Sequence, residues 1–427
     1  MASIYLQATI NGQVAGTLWQ DQQGIAHFAY DPSYHGTPLS VALPLKNQSF
    51  HNTELLPYLF GLLPDSERQR SAIAREFGIR PNNAIAMLEH IGLDCPGGVQ
   101  FFPMPQNGDR SIADPRPATY EPLSNHQIAL RLKSVRDDDD ATWLGKNESW
   151  SLGGNQGKFA LAWHNGSWNS ALGSVPTTHI FKYGVAGYKL QALNEYVCMK
   201  TAGLLEIPVA QVTHQPFEDE PALIVKRFDR TTDTRENVSR LHQEDLCQAL
   251  SKMPYEKYTS DGGPSAADIL ALLASLPYAD FNVPSFIRML FFNVLIGGTD
   301  AHAKNYSLLL SGNGALLAPM YDVASGLPYE LLRRHGRLAM GVGGENRLGR
   351  IGSGAIERFI DSCSEDLTRI GITKDFCTGL MAEYAQRIPA LMEQVFRESK
   401  SVAGIDELQD HLLPHVEANC KKTLALL

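Results

Sequence analysis

The chain has 427 residues, and 37 Lys+Arg against 46 Asp+Glu give it a net charge of −9. At roughly 150 residues per domain this length supports two or three domains with buried cores. The acidic balance excludes a protein that coats nucleic acid through bulk positive charge, so any DNA contact is local or made through a partner. With 44% hydrophobic and 19% charged residues, the composition also excludes a disordered or fibrous chain.

From the N-terminus, segments 4–10 and 14–18 flank Asn11-Gly12, a pair that tolerates the positive φ of a tight primed turn, and predict a hairpin. Segments 25–30 and 39–45 read as further strands. Helices are predicted over 55–63, stopped by Pro64, from a cap at Asp65 or Ser66 through Arg75 towards Gly78, and over 83–91. Between 103 and 122, five prolines fix too many φ angles for regular structure, and the stretch reads as a linker and the first boundary. A capping box from Ser124 to Gln127 opens a short helix to about Ser134. The run from Asp137 to Asp140 reads as solvated turn, with a cation site as the alternative. Strands over 158–163, 179–183, 209–213 and 223–229, with a helix over 194–204 among them, predict a sheet with one inserted helix. After Asp229, helical periodicities over 243–250, 266–276, 285–296, 353–370 and 374–399 make the C-terminal half mainly α.

The six cysteines lie far apart, with no CxxC and no Cys/His cluster at metal-ligand spacing, which fits free thiols in a reducing cytosol. The first residues carry no basic segment followed by an apolar one, and the apolar stretches 269–276 and 289–298 fall short of the roughly 20 residues that cross a bilayer. A cytoplasmic protein without membrane contact is expected.

The segment that carries most chemistry runs from an apolar helix into Thr299-Asp300-Ala301-His302-Ala303-Lys304-Asn305. Asp300 and Asn305 have the aspartate-to-asparagine spacing of a kinase catalytic loop, in which the aspartate receives the hydroxyl proton and the asparagine binds Mg²⁺. Beyond a hairpin predicted around Gly312-Asn313-Gly314, Asp322 falls where such folds hold the main metal-binding aspartate. Phosphoryl transfer is chiefly positioning and charge neutralisation, so it needs one base and hard oxygen ligands in this arrangement. The plainer alternative is that Asp300 caps a turn and Asp322 ends a strand. No Arg precedes Asp300, and Val323-Ala324 stands where the eukaryotic signature has Phe-Gly, which indicates an atypical kinase. His302 has no second histidine at helical spacing, and its Asp and Asn neighbours favour Mg²⁺ over zinc.

Upstream, Ser151-Leu152-Gly153-Gly154-Asn155-Gln156-Gly157-Lys158 leads into a strand, and glycine-rich backbone can bring N–H groups close to phosphates. As a Walker A motif it fails at Leu152 and Phe159, so it is either another kind of phosphate loop or an ordinary turn. Lys182 ends an apolar strand, as a phosphate-binding kinase lysine does, and Glu195 on the next helix is a candidate partner.

The ordered set formed by these segments with Val225 to Arg230, Gln243 to Asp245, Tyr258 to Pro264 and Tyr321-Asp322 resembles the HipA family of bacterial serine/threonine kinase toxins. Leu62-Leu63-Pro64-Asp65-Ser66 and the stretch from Asp94 to Gln100 are similar to that family's N-terminal subdomain. The resemblance implies an α+β, two-lobed, atypical protein-kinase-like fold. It divides into an N-terminal subdomain (1–104), a β-rich N-lobe (105–228) and a helical C-lobe (229–427). It implies ATP and Mg²⁺ as cofactors, Asp300 as catalytic base, and Asn305 and Asp322 as metal ligands. Gly153, Gly154, Asn155, Gln156, Gly157, Lys158 and Lys182 would lie against the ATP, with Lys226, Arg227 and Phe228 at the adenine hinge and His302 and Tyr321 beside the nucleotide. Ser151 stands where the family autophosphorylates. The implied partners are a HipB-like helix-turn-helix antitoxin, DNA only through it, and a protein substrate; family members modify glutamyl-tRNA synthetase. Asn155, Gly157 and Lys226 depart from the residues usual in the family. Two other functions are open: a co-repressor bridging a DNA-bound antitoxin, and a small-molecule phosphotransferase.

Overall fold

The hairpin at the N-terminus forms as its turn residues require, with Asn11 and Gly12 at φ 50° and 79° and Ile4–Ile10 antiparallel to Gln13–Gln20. The computed structural model describes residues 3–104, 118–138, 144–145 and 147–427. The chain divides into two units, Met1–Tyr183 with Pro216–Tyr255 and Leu308–Asn313, and Gly184–Gln215 with Glu256–Ser307 and Gly314–Leu427.

The first unit holds two hydrophobic cores. One lies beneath an antiparallel sheet of order Ser49–His51, Ala26–Tyr30, Gln13–Gln20, Ile4–Ile10, Val99–Pro103, and gathers Leu6, Phe28, Tyr58 and Phe101. The helices Asn52–Gly61, Glu67–Phe77 and Ala84–Ile91 follow the predicted signals: Ser66 accepts from the Gln69 N–H, and Gly78 ends the second in the left-handed region. The second core gathers Ile128, Leu132, Phe159, Phe181 and Ile224. It joins the helix Asn125–Asp137 to a sheet in which Glu220–Lys226, His179–Lys182, Lys158–His164, Ser167–Leu172 and Thr119–Pro122 are neighbours in that order.

The second unit is built on helices. Ala279–Ile296 is apolar on nearly all sides, and such a helix belongs in a core. Among the described residues it is the one helix long and apolar enough to cross a membrane, but here it is the core helix, packed against Lys374–Glu398 and Ile405–Leu424. Its end is fixed twice: Gly297 turns the chain at φ 68°, and the Asn419 amide donates to the carbonyls of Val294 and Leu295. The segment Thr299 to Asn305 follows this anchored end.

Several elements differ from the sequence expectations. Segment 39–45 is not a strand; only an isolated bridge pairs Ser40 with Leu43. Its backbone is satisfied by side chains instead: the Tyr30 hydroxyl takes the Leu39 N–H and donates to the Leu43 carbonyl, and the Glu244 carboxyl accepts from the Val41 N–H. The predicted helix 243–250 begins as the strand His242–Asp245. It turns helical at Leu246–Ala249 only once the Asp245 side chain caps Gln248. The predicted strands 209–213 and 223–229 are Val212–Phe217 and Glu220–Lys226. The helix expected over 353–370 breaks at Cys363, and the core helix starts at Ala279, before Pro284. Of the predicted linker, Pro103 ends the strand Val99–Pro103 and Thr119–Pro122 is a strand, while 105–117 lie outside the described residues, as do Asp139 and Asp140 of the aspartate run.

Candidate active site

In the first unit, Lys158–His164 and His179–Lys182 run antiparallel with Lys158 opposite Lys182 and Phe159 opposite Phe181. Side chains alternate across a strand, so the stacked phenylalanines fill the core while both lysines stand together on the other face. Both lysines are buried. Like charges directly opposite each other are unfavourable, and two adjacent ammonium groups suit a polyanion such as a nucleotide phosphate chain. The Lys158 ammonium donates to the Gly153 carbonyl at 2.8 Å. Gly154 sits at φ 94°, and a Cβ there would stand 2.6 Å from the Lys158 nitrogen, so this position admits only glycine without strain. Asn155 contributes its carbonyl to the Gln69 amide, and Gln156 lines a small cavity behind the loop.

Ser151 is 1% exposed. Its N–H donates to the Asp94 carbonyl, and its hydroxyl is sealed against the Cys95 thiol, with no partner at hydrogen-bond geometry among the described residues. Burial pushes that thiol up to about 12.

The predicted adenine hinge divides in two. Lys226 is exposed and Phe228 half-buried, whereas the Arg227 guanidinium is committed inside the protein, to Asp229, Thr177, the Cys95 carbonyl and Asp94. Arg230 and Arg240 complete this cluster on Asp94 at 2.9 Å each. Burial alone would raise the Asp94 carboxyl, but Arg230, Arg227 and Arg240 hold it well below the usual carboxylate range. The Arg227 guanidinium is therefore spent inside the protein.

In the second unit, Asp300 is exposed and begins a tight turn: the His302 N–H donates to the Asp300 carbonyl at 2.8 Å, and the Asn305 N–H to that of His302 at 2.9 Å. The Asn305 side-chain amide donates to the Asp300 carbonyl at 2.8 Å, which commits its NH₂ group and leaves its oxygen as the end that can meet a cation. The Tyr258 hydroxyl donates to Asp300 Oδ1 at 2.5 Å, and its ring meets buried His302 edge-on at 5.0 Å. Tyr258 lies 42 residues before Asp300 and was not among the predicted site residues. Its place is set by Gly263, whose N–H donates to the Tyr258 carbonyl and whose Cβ would collide with the Glu256 carbonyl.

Tyr321 ties the second acidic position to this turn, its hydroxyl donating to the Lys304 carbonyl at 2.7 Å and meeting Ser307 Oγ at 2.6 Å. Asp322, half-buried, is held in the left-handed region at φ 57°. Aspartate tolerates that conformation better than most residues, and such backbone persists only when its surroundings enforce it. The enforcement continues at Ser325, whose peptide N–H and carbonyl are both engaged by the Asn194 side chain and whose hydroxyl donates to Ile296. Glu195, next to Asn194, is fully buried in this unit. The Asp322 carboxylate and the Asn305 amide oxygen are each hard-oxygen donors of the kind that suits Mg²⁺.

Two family models match the chain, the HipA N-terminal domain over residues 6–102 and the HipA-like C-terminal domain over residues 150–392. The putative kinase Y4mE of Sinorhizobium fredii is 33% identical over 344 residues, 78% of this chain and 79% of that protein. The serine/threonine-protein kinase toxin HipA of Shewanella oneidensis is 26% identical over 417 residues, 94% of this chain and 91% of that protein. HipA solved from the Shewanella oneidensis HipA, HipB and operator DNA complex superposes with a TM-score of 0.82 at 24% identity, covering 99% of this chain and 98% of that one, and so shares the fold. The chain belongs to the HipA family.

Proposed function

We propose that this chain is an ATP- and Mg²⁺-dependent serine/threonine protein kinase that acts as the toxin of a HipBA-like pair. The observation that carries the reading is the turn from Asp300 to Asn305, linked through Tyr321 to an Asp322 held at φ 57°. Asp300, exposed and oriented by Tyr258, takes the proton of the acceptor hydroxyl as its oxygen bonds to the γ-phosphorus and ADP departs. Asn305 and Asp322 hold the metal, which when bound neutralises phosphate charge. Lys158 and Lys182 contact the phosphates, Gly153 to Gly157 cover them, and Lys226 to Phe228 border the adenine, with His302 and Tyr321 beside the nucleotide. Glu195 supports Lys182. The division into 1–104, 105–228 and 229–427 assigns these roles to two lobes, with the first segment as an added subdomain.

The partner is a HipB-like antitoxin, in line with the complex in which the Shewanella relative was solved, and the net charge of −9 favours DNA contact through that partner. The substrate is a translation component such as an aminoacyl-tRNA synthetase. Ser151 is the self-modification site; because it is 1% exposed, the loop must move before a kinase can reach it. Incubation with radiolabelled ATP, with and without cell extract, tests the reading. Labelled protein bands are expected, and label confined to small molecules, or none, would reject it.

A further inference from the structure

This acidic chain carries one distinctly basic stretch. Residues 330–350 hold five arginines, Arg333, Arg334, Arg337, Arg347 and Arg350, against two glutamates, Glu330 and Glu345, a net +3 in a protein of −9. The stretch forms the short helix Glu330–His335, the strand Arg337–Val342 and its antiparallel partner Glu345–Arg347. In the strand, Leu338, Met340 and Val342 are buried, so alternation puts Arg337 on the opposite face. Arg334, His335, Arg337, Arg347 and Arg350 are all exposed.

The fold sets this stretch beside the turn from Asp300 to Asn305. The segment that carries it closes at two points on Thr299, the residue before Asp300: a Cβ at Gly326 would stand 2.7 Å from Thr299 Oγ1, and one at Gly336 would stand 3.2 Å from Thr299 Cγ2. The Gly326 N–H donates to the Gly297 carbonyl at 2.8 Å, and the Gly336 N–H ends the short helix on the Leu332 carbonyl at 2.7 Å. The strand Arg337–Val342 also packs against Thr259–Asp261, the turn that follows Tyr258. Arg337 and Asp300 each lie one residue, about 3.8 Å along the chain, from the contact between Gly336 and Thr299.

Arg337 stands directly across the two strands from Arg347. Like charges in that position are unfavourable, and they suit an anion lying between them. Glu345 accepts from Arg347 Nε and Nη2 at 2.9 and 2.6 Å and so fixes that guanidinium, and Glu330 holds Arg334 at 2.8 Å. Among the described residues Arg337 and Arg350 form no ion pair. We propose that Arg337, backed by Arg334 and Arg347, binds a carboxylate of the protein substrate within about three residues of the acceptor hydroxyl, so that the chain selects serines and threonines in acidic sequence. This rests on the reading of Asp300 as the base. Extended chain advances about 3.3 Å per residue, so three residues span roughly 10 Å, comparable with the path from Arg337 to Asp300 across the Gly336 and Thr299 contact. Nucleic-acid backbones are held through many phosphate contacts at once, whereas only two guanidinium groups here are uncommitted. Asp261, exposed in the flanking turn, also opposes a long polyanion.

Fluorescence anisotropy with labelled synthetic peptides, each a single serine flanked on both sides by glutamates or by lysines, tests the surface without nucleotide. The glutamate peptide should bind about tenfold tighter than the lysine peptide at low salt, with the difference shrinking as salt rises. Arg337→Glu should erase that preference, while Arg397→Glu, the same charge change on the helix Lys374–Glu398, should keep it. With radiolabelled ATP and Mg²⁺ added, kcat/KM for the two peptides should follow the same order. Equal binding of the two peptides, a preference that survives Arg337→Glu, or labelling that ignores the flanking charge would overturn the proposal even if the protein proves to be a kinase. A single-stranded oligonucleotide of equal charge that binds tighter than the glutamate peptide, and is lost in Arg337→Glu, would overturn it in favour of a nucleic-acid surface. A binding preference for the glutamate peptide that Arg337→Glu abolishes supports the acidic-segment surface even if no phosphoryl transfer is found.

Discussion

Replacing Tyr258 by Phe probes the least expected contact of the turn from Asp300 to Asn305, because it deletes a single hydroxyl and keeps the ring. The ring should stay where it is, since its edge-on contact with His302 at 5.0 Å does not involve the oxygen. What is lost is a 2.5 Å hydrogen bond to Asp300 Oδ1. Hydrogen bonds to charged groups contribute about 1.5–3 kcal/mol. Asp300 is exposed, so water replaces part of the lost bond, and the carboxylate also gives up charge as it takes the substrate proton. The bond therefore weakens towards the transition state, and the fall in kcat comes from lost orientation of Asp300, about 3- to 30-fold or about 0.7–2 kcal/mol. KM for ATP should hold, as Tyr258 has no proposed nucleotide contact. Single-turnover phosphoryl transfer at saturating ATP measures this, run as a double-mutant cycle with Asp300→Gln. If Tyr258→Phe lowers the residual rate of Asp300→Gln by the same factor, Tyr258 does not act through Asp300 and the reasoning fails.

Asp322→Ala should raise the Mg²⁺ concentration needed for ATP binding, because it removes a hard anionic ligand; unchanged calorimetric titrations would reject that role. Gly154→Ala forces a Cβ into the left-handed region 2.6 Å from the Lys158 nitrogen, and should weaken ATP binding at least tenfold while melting within a few degrees of wild type. Glu244→Gln concerns stability. Burial raises the Glu244 carboxyl to about 8, so the folded chain keeps a proton that the unfolded chain releases near 4.5. Stability is then lost as pH rises from about 4.5 to 8. The amide should accordingly stabilise the protein more at pH 8 than at pH 5, by a few kcal/mol at most, and melting curves showing the same difference at both pH values would refute the buried neutral acid.

What the sequence discloses here depends on how far a residue's partners lie along the chain. The Asn11-Gly12 turn, the helix from Ser66 to Gly78 and the turn from Asp300 to Asn305 are specified by neighbours within a few positions, and each is legible. Segment 39–45 has strand-like residues, but Glu244 and His242, each 203 residues away, satisfy its backbone, and no local pattern announces that. Arg227 sits in a motif that suggests an exposed hinge, yet its guanidinium is claimed by Asp94, 133 residues earlier. Tyr258 was visible only as part of a glycine-rich motif; the contact with Asp300 depends on how the loop around Gly263 closes. The burial of Ser151 was equally hidden, because it requires the Asp94 segment to pair alongside it.

We propose that this chain transfers the γ-phosphoryl group of ATP with Asp300 as base and modifies its own Ser151. The most direct measurement is incubation of the purified chain and its Asp300→Gln variant with radiolabelled ATP and Mg²⁺, followed by peptide mapping of the label. The account predicts label on the peptide containing Ser151 in the wild type and a 10²- to 10⁴-fold slower reaction in the variant, roughly the value of a general base. Equal labelling of both proteins, or a wild type that binds ATP and Mg²⁺ yet labels neither itself nor any added protein, would contradict it.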